Sequence, residues 1–126
     1  MTDANAAPEG APNTLATLIE RLRATGLLNT PLLDAAFSAV ARHLFLPGVP
    51  LDQVYADNAI PIKYDSEGRV ISSSSQPSMM LLMLQQLDLQ PGHNVLEIGA
   101  GTGYNAAVMQ QIVGQSGKVT TVEVDP

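Results

Sequence analysis

The segment from Val95 to Tyr104, VLEIGAGTGY, runs a short apolar stretch into three glycines, Gly99, Gly101 and Gly103, spaced as GxGxG. Glycine accepts positive φ and carries no side chain, so such a loop can turn sharply off a strand and bring its backbone close to a ligand. The helix that follows adds its free N-terminal amides to the same face. Glu123 stands about 20 residues further on, where its carboxylate can accept hydrogen bonds from two ribose hydroxyls. Loop and acid together describe a site for a nucleoside-containing ligand. The plain structural alternative is a tight strand-to-helix turn with Glu123 solvated or buried.

Glycine spacing separates the ligand classes that use this arrangement. The dinucleotide fingerprint GxGxxG needs a small residue at its third glycine, where helix and strand pack closely, and this chain has Tyr104 there. GxGxG after an acidic strand residue, here Glu97, is instead the form found in methyltransferases. Their cofactor, S-adenosylmethionine, has no pyrophosphate to cradle and sets its methionine part against the loop. Glu97, Gly99, Gly101, Gly103, Tyr104 and Glu123 are therefore the expected cofactor-side residues.

Other residues with chemical potential have competing structural readings. Ser75 precedes Gln76-Pro77 and could be a site hydroxyl or the N-cap of a helix that opens at the proline. Met79, Met80 and Met83 are expected in the core rather than against a cofactor. Tyr55 and Asp57 are a candidate substrate-side pair, or a core tyrosine beside a polar neighbour. His43 is expected to cover a helix end and His93 to lie in a turn, and their spacing is not that of metal ligands. With no cysteine there is neither a disulfide nor a thiolate metal site, so no metal is expected.

These residues need elements to hold them. Residues 1–13, rich in Ala, Pro, Gly and Asn, read as a disordered arm. Leu15, Leu18, Ile19 and Leu22 fall at helical spacing, closed by Gly26. Thr30-Pro31 opens a second helix whose buried face is expected to run through Leu33, Ala36, Phe37, Val40 and Leu44 before Pro47-Gly48. Asn58 to Lys63 and Arg69 to Ser72 read as a hairpin around Asp65-Ser66-Glu67-Gly68. A helix follows Pro77, with Met80, Leu81, Leu84 and Leu87 inward and Pro91-Gly92 as its stop. Val95 to Ile98, the glycine loop, a helix over Ala106 to Val113 and the strand Lys118 to Val124 then compose one βαβ unit. The expected fold class is α/β, the start of a doubly wound Rossmann-like sheet, with an N-terminal helical and hairpin part over 14–92 and the βαβ unit over 93–126.

Composition narrows the partners. Apolar residues make up 45% of the 126, enough for a core. A formal charge of −6, with only six Lys and Arg, argues against nucleic acid, which needs clustered cations for phosphate contacts. The N-terminus lacks a signal-peptide pattern, and no apolar run approaches the roughly 20 residues of a membrane span. We expect a cytoplasmic chain with a protein or small-molecule substrate and no membrane or nucleic-acid partner.

From Asp34 onward the sequence resembles the protein-L-isoaspartate O-methyltransferase family. DAAFSAVARHLFLP is similar to the family's Arg-x-x-Phe-x-Pro helix end, here Arg42, Phe45 and Pro47, and VYADNAIPI to its Ala-Tyr-x-Asp segment, with Tyr55 and Asp57. SSSSQP resembles Thr-Ile-Ser-Gln-Pro, with Ser75, Gln76 and Pro77, while VLEIGAGTGYNAAVM and KVTTVEVD resemble the cofactor motif and second strand. The resemblance implies methyl transfer from S-adenosylmethionine to the side carboxylate of an isoaspartyl residue, the first step in repair of damaged proteins. It places Ser75 beside the transferred methyl, as the catalytic-site residue, and Gly99, Gly101 and Glu123 on the cofactor. Two departures border the substrate side: serines 73 and 74 replace Thr-Ile, and DSEGRV is longer than the family's usual turn. A family branch that modifies aspartates in biosynthetic peptides is the other placement.

The family's sheet continues beyond its second strand, so the chain reads as an N-terminal fragment, expected to be inactive alone and to bind the cofactor weakly or not at all. An unpaired edge on the Val95–Ile98 strand would invite self-association. The alternative function is a non-catalytic nucleoside-binding or interaction module completed by a partner chain.

Overall fold

A computed structural model describes residues 13–125. The expected arm over 1–13 lies outside them except for Asn13, whose Nδ2 donates to the Asp52 carbonyl at 2.8 Å. Helix α1, Leu15–Ala24, starts at a reciprocal cap: Thr14 Oγ1 accepts from the Thr17 amide while Thr17 Oγ1 accepts from the Thr14 amide. Two donors at the helix start are thereby satisfied, with threonine doing what a capping-box glutamate usually does. Thr30 caps α2, Pro31–Ala39, with the proline in the first turn as expected. A bidentate Arg23–Asp34 pair at 2.7 and 2.9 Å ties the two helices together at the surface.

The second helix is shorter than the sequence spacing suggests. Val40 is already extended, and a single 3-10 turn, Arg42–Phe45, replaces the expected continuation. Leu44, expected on the buried face, is 71% exposed, and Arg42 is fully buried instead. Leaving the helix at Val40 turns the guanidinium inward, where carbonyl oxygens await it. A short helix α3, Leu51–Val54, follows and was not anticipated.

Strands β1, Ile60–Tyr64, and β2, Val70–Ser74, form the expected hairpin, extended by two residues at its serine end. Asp65 builds the turn, its Oδ1 accepting from the amides of Glu67 and Arg69, both at 2.9 Å. The register slips between Pro61 and Lys63 and again between Lys63 and Tyr64, so the strands bulge around a proline that cannot donate to the ladder.

Helix α4, Pro77–Leu87, carries its apolar face on Met80, Leu81 and Leu84. Leu87, Met79 and Met83 are about half exposed, at 53%, 50% and 47%, which corrects their assignment to the core. The helix ends before Pro91-Gly92, at Asp88 in the left-handed region. Its N-cap position is Gln76 rather than Ser75, with no capping by its own side chain. Asp57 supplies the cap from a distance, its Oδ1 accepting from the Ser78 amide at 2.8 Å. Tyr55 is a core tyrosine, 4% exposed, and its hydroxyl pairs with His43 Nδ1 at 2.7 Å, so His43 serves Tyr55 and not a helix end.

Strands β3, Asn94–Ile98, and β4, Lys118–Val122, pair in parallel across helix α5, Tyr104–Val113. This is the βαβ unit with which a doubly wound sheet opens, and helices and hairpin precede it as expected. A continuous core runs from Leu18 and Leu22 through Phe37, Leu81 and Val108 to Val113, joining the helical part to the βαβ unit. Leu96, Ile98 and Val122 stay exposed on the parallel pair. Among the described residues no helix is long and apolar enough to cross a membrane.

Gly117 closes the approach to β4 in a space with no room for a side chain. A Cβ there would sit against Val113 Cβ and 2.6 Å from the His93 carbonyl oxygen. Gly117→Ala is expected to destabilise the fold by about 1–3 kcal/mol, measured by urea unfolding.

Candidate functional site

The site forms where β3 gives way to α5. Gly99, Gly101 and Gly103 all hold positive φ, at 91°, 55° and 89°. The amides of Gly99 and Ala100 both donate to the Val122 carbonyl, at 2.8 and 3.0 Å, which anchors the loop to the end of β4. A Cβ added at Gly99 or Gly101 would meet no heavy atom within 4 Å, so the space in front of the loop is open.

Two carboxylates brace this loop. Glu123, one residue past β4, accepts from the Gly101 amide at 2.8 Å through Oε2 and from the amides of Val124 and Asp125 through Oε1. Those backbone donors, Gly101 first, hold its carboxyl below its ordinary value, and it is ionised at neutral pH. Glu97 accepts from Asn105 Nδ2 and Thr121 Oγ1, each at 2.7 Å, and so locks strand, helix and neighbouring strand together. Asn105 and Thr121 escaped the sequence reading. For Thr121 the signal lies in the parallel register, which sets it directly beside Glu97.

Ser75 comes to the same place from the far side of the sequence. A cleft of about 330 Å³ is lined by Ser73, Ser74 and Ser75 on one wall and by Glu97 through Thr102 on the other, with Met80 and Met83 at its side. The volume suits a small-molecule site. A second cleft of about 510 Å³ lies across the loop, lined by Glu123, Lys63, Ile62 and Ile71, and Gly101 borders both. Lys63 bridges to Asp125 over this second cleft and ties the hairpin to the end of β4.

Tyr104 borders the first cleft, but its ring is 2% exposed and packs between Phe45 and the Arg42 guanidinium. Its hydroxyl has no partner among the described residues. Burial pushes this phenol up from 10.0 to about 12. A raised value leaves stability intact below pH 10 and removes it as pH climbs toward 12, because the unfolded chain ionises first. Urea unfolding should show a loss of about 1 kcal/mol by pH ~11 that Tyr104→Phe abolishes, with little change at neutral pH.

For Glu123 the sign is opposite. Its lowered value means that the clamp on Gly101 is complete above pH 4.5 and is lost as pH falls through the lower folded value. The Gly101 amide proton shift should titrate with a midpoint below 4.5, and Glu123→Gln should erase that titration. A midpoint at or above 4.5 would show that the clamp is not formed.

Comparison with known proteins extends this geometry. The family described as Protein-L-isoaspartate(D-aspartate) O-methyltransferase (PCMT) matches residues 13–126. The protein-L-isoaspartate O-methyltransferase of Methanopyrus kandleri is 41% identical over 109 residues, covering 86% of this chain and 46% of the relative. That of Thermotoga maritima is 48% identical over 89 residues, covering 70% of this chain and 27% of the relative. A solved protein-L-isoaspartate O-methyltransferase superposes with a TM-score of 0.75 at 40% identity, over 87% of this chain and 34% of that one. A Plasmodium falciparum structure in complex with S-adenosyl-L-homocysteine shares the fold, with a TM-score of 0.71 at 22% identity over 90% of this chain and 50% of that one. The chain thus spans half or less of the length of these relatives. On the match across residues 13–126, this chain belongs to the protein-L-isoaspartate(D-aspartate) O-methyltransferase family.

Proposed function

We propose that this chain forms the cofactor loop and acceptor wall of an S-adenosylmethionine-dependent carboxyl methyltransferase that acts on isoaspartyl, or aspartyl, residues of cytoplasmic proteins or peptides. The observation that carries the reading is one cleft with Ser73–Ser75 on one wall and the Gly99–Thr102 loop on the other. Family membership supports this reading, which is drawn for a protein of the length its relatives have.

The residues present fit the cofactor. Open space before Gly99 and Gly101 allows close approach, and the two clefts that meet at Gly101 together offer an elongated site. Glu123 would hold the nucleoside end through Oε2, which accepts only from Gly101 and keeps a lone pair for a ribose hydroxyl, whereas Oε1 already takes two amides. Glu97 would act through its grip on Asn105, which lines the first cleft, and Gly103 by opening α5 at a left-handed turn. Tyr104 would contribute packing behind the loop rather than a contact of its hydroxyl. S-adenosylmethionine, when bound, supplies an electrophilic methyl group on a sulfonium.

What remains for the chain is alignment. A side carboxylate with a pKa of about 4 is ionised at neutral pH, so its attack on the methyl needs no general base. Ser75, exposed to the cleft, can orient that carboxylate by hydrogen bonding without protonating it. The half-exposed Met83 and buried Met80 present an apolar side that excludes water from a charge-neutralising displacement. An acidic chain of charge −6 supports a protein or peptide partner over nucleic acid or an anionic membrane surface. The exposed apolar β3–β4 pair supports self-association through its open edge where nothing else covers it.

The test uses the protein at the full length of its relatives. Calorimetric titration should show S-adenosylhomocysteine binding, and methyl transfer should favour an isoaspartyl peptide over its aspartyl counterpart. Ser75→Ala should lower kcat/KM by about 10- to 100-fold and leave the Kd for S-adenosylhomocysteine within about twofold. Binding without transfer to either peptide supports a non-catalytic nucleoside-binding module instead.

A further inference from the structure

Arg42 is fully buried, and among the described residues it makes no ion pair. Its guanidinium donates instead to backbone carbonyls: Val54 at 2.9 Å, Asn58 at 3.3 Å and Ser75 at 3.0 Å, with the Ser74 hydroxyl at 3.4 Å. The ring of Tyr104 lies 5.8 Å from its Cζ. Burying a cation among neutral dipoles is costly, and an apolar side chain of similar volume would fill the space more cheaply. The arrangement therefore does something that packing alone would not need.

The partners show what that is. Val54 ends α3, Asn58 precedes β1, Ser74 and Ser75 form one wall of the first cleft, and Tyr104 stands at the root of the other wall. The planar fork of five donors is the one side chain that can hold several carbonyls at fixed directions at once. Because the Ser75 carbonyl is drawn inward to Arg42, the direction in which this residue presents its hydroxyl is set from behind. Asp57 holds the next residues, its carbonyl accepting from Gln76 Nε2 at 2.9 Å and its carboxylate from the Ser78 amide.

We propose that Arg42 is the positioning residue of the acceptor wall: it fixes the Ser74–Ser75 backbone against the root of the glycine loop, and so sets the distance at which Ser75 meets the substrate carboxylate. Its bearing on turnover rests on the methyl-transfer reading above, whereas its hold on the wall does not.

The test is Arg42→Lys in the protein at the full length of its relatives, since lysine keeps the charge but not the fork. Hydrogen exchange followed by mass spectrometry should show residues 72–76 exchanging about tenfold faster or more, with α1 unchanged. KM for an isoaspartyl peptide should rise about tenfold while the Kd for S-adenosylhomocysteine stays within about twofold. Leu84→Ala, a core variant on α4 outside the hydrogen-bond partners of the guanidinium fork, serves as the stability control and should move neither the exchange of 72–76 nor KM. Unchanged exchange over 72–76 in Arg42→Lys, or the same change in Leu84→Ala, overturns the proposal. If the unsubstituted protein transfers no methyl group, the methyl-transfer reading falls and the exchange result still decides the role of Arg42.

Discussion

A guanidinium buried with no carboxylate partner among the described residues obliges the chain to bring other oxygen atoms to it, and the segments that do so are those that build the cleft. Arg42 reaches the end of α3, the approach to the hairpin and the exit from β2, and it rests on the ring at the start of α5. Desolvation pulls the guanidinium below its ordinary value, with Tyr104, Asp57 and Tyr55 acting in the opposite direction. It remains charged at neutral pH, because arginine starts so far above it. The fold meets that cost with carbonyl dipoles whose positions are then no longer free. Helix α2 has to end at Ala39 for this to happen, since a continued helix would carry residue 42 along a different face.

The glycine loop is organised from the opposite direction. Here an anion collects backbone donors: Glu123 takes three amides, one of them at the centre of the loop. A loop of glycines has much conformational entropy to lose, and a carboxylate clamp together with the Val122 carbonyl holds it in one shape before any ligand arrives. Glu97 performs a similar service one layer deeper by joining β3 to α5 and β4. The cleft thus has a cation behind its serine wall and anions behind its glycine wall. Arg42 and Glu97 each hold their wall through hydrogen bonds within the protein.

Local elements were legible in the sequence wherever a short-range signal forces them. Thr30 caps because a hydroxyl at that position satisfies free amides, and Pro31 and Pro77 open helices because a proline has no amide to leave unpaired. Asp65 and Gly68 make the hairpin turn, and Gly99 to Gly103 turn the chain off β3, because positive φ belongs to glycine. A periodic pattern misleads where the partners of its element lie elsewhere in the chain. Leu44 fits a helical face by spacing, but the helix has already ended; Met79 and Met83 fit a core face by type, but one side of α4 is open to the cleft and solvent.

The sequence alone therefore settled the glycine loop, its downstream acid, the α/β class and the resemblance that the family match bears out, because each rests on residues close together or on a motif that needs no partner. Only the tertiary structure decided that Ser75 shares a cleft with Gly99–Thr102, that Glu123 Oε2 accepts from the Gly101 amide, and that a buried arginine stands behind the serine wall. Those pairings join residues more than twenty positions apart in sequence. No local spacing encodes them; they follow from how the helices and two small sheets close on one core.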